Sequence, residues 1–284
     1  MDENYRHCEA LVRAADKDRF LATLFAPADK RGPLFALYAF NLEIAGVRDR
    51  AREPMPGEIR LQWWRDVLNG ERGGEAAANP IAAALMDTVE RFALPVALLL
   101  DLIEAHSFDL YHDPMPTLAA LEAYARKTES SVIALAAQVL AGNNDALGIA
   151  SEHAGIAITF THILRAFARN ASRRQLYLPM ELLERHDVRV EDIYAGVATP
   201  SIEAALADLR NEARRHFSAF EGALPQSPAE AMSAFLPAAL VPTYLAVMER
   251  SGYEPFKTAI EPPQWRRQLT LWRAARRYGK MMRG

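Results

Sequence analysis

Ala45 and Asp49 lie four residues apart in the apolar, helix-like run of residues 37–49, a spacing that puts two side chains on one face of a helix. Two carboxylates so spaced can hold Mg²⁺ between a helix and a diphosphate, because a hard cation takes oxygen ligands and Mg²⁺ commonly counts substrate phosphate among them. This run supplies only the Asp49 carboxylate. Glu53, one turn on, restores an acidic pair, but Pro54 and Pro56 end the helix there, and one turn displaces a metal site by about 5.4 Å. The plainer reading of Arg48, Asp49, Arg50, Arg52 and Glu53 is a solvated helix end.

A second candidate run covers residues 159–170. Ala166 and Asn170 share a face there, and neither brings a charged ligand. Arg165, Arg169, Arg173 and Arg174 could hold an anion directly, since a guanidinium grips phosphate through two parallel hydrogen bonds; an amphipathic helix end with exposed arginines explains them equally well. Asp109 and Asp113 form the literal Asp-x-x-x-Asp of the chain just before Pro114. Acids at a helix C-terminus oppose its dipole, and a peripheral loop position is the expectation for both.

Other polar residues read more plainly. His162, on an apolar helix beside Arg165, is expected to be a satisfied core histidine. Glu212 and His216, with Arg210, Arg214 and Arg215 around them, read as a solvated face. Trp63 and Trp64 cannot share one face of a helix, so one belongs in the core and the other on a groove or partner surface. Thr128, Glu129, Ser130 and Ser131 interrupt an apolar helix and suggest close helix approach or a polar cavity wall. Cys8 is the single cysteine; it excludes an internal disulfide and, with nothing to activate it, a nucleophilic role.

The elements that must position these residues are helices. Apolar residues recur at three- and four-residue spacing over residues 33–47, 118–140, 145–167, 201–220, 228–250 and 263–278, with Gly142 as a C-terminal stop. Strict alternation and Asn-Gly hairpin turns are scarce. The 284 residues, half of them hydrophobic, suffice for one all-α domain with a sizeable core. Proline and glycine breaks, as at residues 53–57 and 113–116, are inter-helix loops rather than flexible linkers. A net charge of −3 gives no case for nucleic-acid binding. The acidic N-terminus lacks an apolar stretch, and the most apolar run, residues 93–100, is too short to span a bilayer. The expected location is therefore the cytoplasm, with peripheral contact at the inner membrane through residues 255–260 or the basic residues 266–283 left open beside a simply solvated helix.

The order of these pieces resembles the squalene/phytoene synthase family of head-to-head prenyltransferases. The resemblance is carried by Ala22 to Pro27, Leu37-Tyr38-Ala39-Phe40, Gly57-Glu58 with Trp63-Trp64, Asp109-Leu110, Leu121 to Val132, Thr161 to Arg165, Tyr177-Leu178-Pro179 and Gly252-Tyr253. It implies a single-domain, all-α isoprenoid-synthase fold around a central apolar cavity, spanning residues 1–284. It also implies Mg²⁺ held by two facing aspartate motifs. Ala45, Ala166 and Asn170 stand where three of the four acids belong, Leu42 replaces a usual arginine, and Thr159 and His162 replace a usual glutamine and asparagine. If activity survives, the resemblance assigns catalysis to Tyr38, Asp49, Arg165 and Tyr177, metal binding to Asp49, and substrate binding to Arg48, Tyr124, Arg165, Arg169 and Arg174.

The strings Ala39-Phe40-Asn41-Leu42-Glu43, Gln62-Trp63-Trp64 and residues 124–131 are most similar to a divergent branch of that family that serves in respiratory complex I assembly. That likeness implies a non-catalytic protein without a cofactor, partnered by complex I subunits or intermediates or by an isoprenoid or lipid ligand. The alternative is an active Mg²⁺-dependent prenyltransferase acting on prenyl diphosphates in isoprenoid biosynthesis.

Overall fold

The two runs singled out above lie largely on two extensively buried helices. The structure, a computed structural model, describes residues 2–51 and 53–283; Arg52 lies outside the described residues. The first run belongs to a helix at Ala28–Ala45, buried almost continuously from Gly32 to Asn41. The second belongs to Leu147–Arg165, buried from Ala154 through Thr161. Helices enclosed on nearly every face need no polar stripe, and this accounts for their all-round apolar composition. Around them pack Glu3–Ala15, Pro80–Phe92, Ser131–Ala141 and Pro200–Ala223. All regular structure among the described residues is helical.

Most helices are where periodicity places them, with informative departures. The run expected at residues 118–140 is a helix at Leu118–Ala125, a π-helical turn at Arg126–Ser130 and a helix at Ser131–Ala141, ended by Gly142 in the positive-φ region (φ 78°). A π turn widens the helix by one residue and commonly marks a functional site. Here it turns Thr128 and Glu129 inward and lays Ser130 against Gly155. A Cβ on Gly155 would sit 2.4 Å from the Ser130 backbone, so only glycine allows this approach.

The run at residues 228–250 is also subdivided. Short 3₁₀ turns and helices end in Val241–Met248, because Pro237 and Pro242 remove backbone donors. By length and apolarity alone, Ala229–Met248 could cross a membrane, but 67% of its most apolar window is buried inside the protein, as expected of a core element. Trp64 is in the core, edge-on to Phe40 at 5.0 Å, while the half-buried Trp63 donates its indole N–H to Glu75 at 2.8 Å.

Candidate functional site

Each motif is cut by a break in its helix. The first helix stops at Gly46 (φ −84°, ψ −1°), directly after Ala45, and Val47–Arg50 forms a separate turn bearing Arg48 and Asp49. The second stops at Ala166 (φ −89°, ψ 2°) and resumes as Phe167–Ser172, which carries Arg169 and Asn170. Between the two motif helices lies a cavity of about 290 Å³, with Asn41, Leu42, Ala45, Thr159, Ala166 and Asn170 in its wall. A second cavity of about 360 Å³ adjoins it, bordered by Asp18, Thr161, Arg165, Tyr244 and Arg267. The wall common to both is Asp16, Arg19, Glu129 and His162. The space expected to be apolar is thus divided and edged by charged groups.

Arg19 is the centre of that wall. Its guanidinium bonds Glu129 of the π turn at 2.5 Å and reaches Asp16 at 3.5 Å, and it lies over the Tyr38 ring at 5.1 Å. Asp16 also accepts the Arg19 backbone N–H at 2.9 Å and so caps the helix Lys17–Thr23 that presents Arg19. Burial alone would depress the guanidinium, but the facing Glu129 and Asp16 outweigh it and hold Arg19 above its ordinary value. Tyr38 therefore supports this ion pair from below; its phenol is pushed up by burial.

His162 presents its ring to both cavities and is exposed to the space they enclose, with Arg165 and Arg19 close by. Burial first, then Arg165 and Arg19, lower it to about 3. It is a neutral cavity wall rather than a packed core histidine. Arg165 stacks on Tyr244 at 3.8 Å, and its Nε has no hydrogen-bond partner.

Asp109 departs furthest from its sequence reading. It is buried at 7% exposure rather than peripheral, on a 3₁₀ turn, Phe108–Leu110. Its carboxylate accepts from Tyr177 Oη at 2.7 Å and Tyr124 Oη at 3.1 Å, and pairs with His106 Nδ1 at 2.6 Å. Burial and the Asp109 charge push both phenols well up, so they remain donors. Gln175 Nε2 anchors the turn through the Asp109 carbonyl at 3.1 Å. Nothing in the local sequence marks His106; only the tertiary fold shows it.

The remaining candidate residues fall into place around this. Asp49 lines the smaller cavity but is ion-paired with Arg173. Arg48 and Arg169 line it too, Arg48 lying 3.3 Å from His112 Nε2. Arg174 is outside the walls of both cavities, in a left-handed conformation (φ 55°) with its guanidinium over Tyr194. This placement does not fit the substrate contact expected of it. Glu212 and His216 are not a solvated face either. His216 is 2% exposed against Phe160, its Nδ1 lies 2.9 Å from His153 Nδ1, and Arg126 and Arg215 pair with the neighbouring Glu122.

These contacts bear on Mg²⁺ directly. The carboxylates lining the smaller cavity are Asp16, Asp49, Asp109 and Glu129. Arg19 engages the first and last, Arg173 engages Asp49, and His106 with two tyrosines engages Asp109. No two of them face each other across the motif helices as a free pair. Among the described residues, the one grouping of three metal-ligand side chains is Glu122, Glu212 and His216, on other helices and already bridged by Arg215. The donor set does not fit a Mg²⁺ cluster between the motifs.

The architecture and the divided cavity define an all-α protein of the isoprenoid-synthase class. Its structure matches a dehydrosqualene synthase crystal structure with a TM-score of 0.86 over 98% of this chain and 97% of that one, at 20% identity. The squalene/phytoene synthase family model matches residues 12–273, and the chain belongs to that family. Similar sequences include NADH dehydrogenase (ubiquinone) complex I, assembly factor 6 of Rattus norvegicus, 28% identical across 95% of this chain and 81% of the relative. A 15-cis-phytoene synthase of Synechocystis is 28% identical across 76% of this chain and 68% of its own length.

Proposed function

We propose that this chain is a non-catalytic member of the squalene/phytoene synthase family that acts in the assembly of respiratory complex I. One observation carries the non-catalytic part: every carboxylate lining the motif cavity is already engaged by an internal cation or by buried donors. Departure of diphosphate places further negative charge on an already anionic group, and metal ions ordinarily stabilise it. Losing even about 4 kcal/mol of that stabilisation slows the reaction roughly a thousandfold. The assembly role is supported by the similarity to relatives named as complex I assembly factors. The cytoplasm, with peripheral contact at the inner membrane, is the location that goes with this reading.

A second reading, an active prenyltransferase of isoprenoid biosynthesis, is favoured by the similarity to phytoene synthases and by the retention of Tyr124, Arg165 and Tyr177 in the cavity walls. Genetics separates the two. In the parent organism, gene deletion is expected to lower assembled complex I, measured as NADH:quinone oxidoreductase activity and as the intact complex on native gels. Both the wild-type gene and Asp49→Ala should restore it fully. Unchanged complex I on deletion, or failure of a stably expressed Asp49→Ala protein to restore it, would overturn the proposal.

A further inference from the structure

Many exposed arginines in this protein have a carboxylate beside them, as in Arg13–Glu9, Arg126–Glu122 and Arg214–Glu249. The last helix, Gln264–Met281, is different. Residues 264–283 contain seven Lys and Arg and no Asp or Glu. Two of the seven are neutralised by other helices, Arg267 by Asp18 and Arg277 by Glu221. Arg266, Arg273, Arg276 and Lys280 have no carboxylate partner among the described residues.

The helix buries one face, through Leu271, Ala274 and Tyr278. Its opposite face carries Trp265, Leu269, Trp272 and Arg276 at spacings of four, three and four, which places them in a single stripe. Trp265 is 65% exposed and Trp272 44%, although Trp64 shows that this chain can enclose an indole almost completely. Arg276 lies over the Trp272 ring at 3.8 Å. Arg273 and Lys280 flank the stripe toward its C-terminal end.

We propose that this face docks on an anionic lipid surface. Indole rings favour the headgroup level of a bilayer, where an apolar body and a polar N–H are both satisfied. Unneutralised cations on the same face are drawn to anionic headgroups. The charge of the face opposes the net charge of the whole chain, −3, so the attraction is local and orients the molecule with this helix toward the membrane. An acidic protein would satisfy the cations, but it would not call for two exposed indoles at headgroup depth. The inference is independent of the assembly role, because it rests on this helix alone.

The test is co-sedimentation of the full chain with vesicles of phosphatidylcholine, alone or mixed with phosphatidylglycerol, together with tryptophan emission. Binding is expected on the mixed vesicles only, with a blue shift, and it should weaken as salt rises. The charge reversal Arg273→Glu/Arg276→Glu/Lys280→Glu should weaken binding at least about a hundredfold, because three attractions are lost and three repulsions gained. Trp265→Ala/Trp272→Ala should abolish the blue shift. All five positions are solvent-facing, and circular dichroism confirms folding of the variants. Equal partition of the wild type onto both vesicle types, or unchanged binding of the charge-reversed protein, would overturn the proposal. So would a wild type that ignores vesicles but binds an acidic polypeptide, or whose solution mass changes on charge reversal, since the face would then serve a protein partner or a second copy.

Discussion

Removing either partner of the Arg19–Glu129 pair should destabilise the protein by about 3–5 kcal/mol, the usual consequence of leaving one buried charge without its counter-ion. The side chains are only 7% and 11% exposed, so the water in the adjoining cavities is a poor substitute for the missing partner. Glu129→Ala also leaves the Arg19 guanidinium over Tyr38 with only the 3.5 Å contact to Asp16. The double variant Arg19→Met/Glu129→Leu removes both charges and fills the same space, and it should recover most of the loss. Urea denaturation of the two single variants and the double variant measures this as a coupling energy. Single variants within about 1 kcal/mol of wild type would mean that water reaches the pair and that the wall between the cavities is open.

Asp109→Ala should be nearly as damaging. The substitution strips Tyr124 Oη, Tyr177 Oη and His106 Nδ1 of one common acceptor. A buried donor left without a partner costs about 1–3 kcal/mol; Tyr124 and Tyr177 are half-buried and Tyr124 Oη keeps His106 Nδ1 at 3.3 Å, so the expected loss is about 3 kcal/mol. Because the donors act on one carboxylate, their effects should not add. Tyr177→Phe should cost less in the Asp109→Ala background than in the wild type, and denaturation of the four proteins reads that difference. Additive losses would mean that the cluster is not the unit its geometry describes.

Both predictions concern residues whose partners were illegible locally, although Thr128 to Ser131 did read as a close helix approach or a polar cavity wall. Arg19 and Glu129 are 110 positions apart, and nothing in either neighbourhood names the other. Asp109 precedes a proline-containing loop and stands in a literal acidic pair, which locally resembles a solvated helix end. It is enclosed because residues 175–177 fold back over it. The helices were legible because an apolar period of three and four survives any tertiary context. The π turn was visible only as an oddity of composition at Thr128–Ser131, since one extra residue per turn leaves no period of its own.

The missing acids at Ala45, Ala166 and Asn170 were plain from the residues. The structure adds where the surviving carboxylates are committed. Asp49 is drawn to Arg173 on the opposite motif, and Asp16 and Glu129 are drawn to Arg19. Charges that a metal and a diphosphate would need are balanced within the chain, which favours the helix arrangement without ligand.

The most direct test uses purified protein incubated with farnesyl or geranylgeranyl diphosphate and Mg²⁺, following release of diphosphate. We expect release no faster than in the protein-free control, for wild type and Asp49→Ala alike. Mg²⁺-dependent turnover at an ordinary enzymatic rate, about 1 s⁻¹ or more, that disappears in Asp49→Ala would contradict a non-catalytic protein.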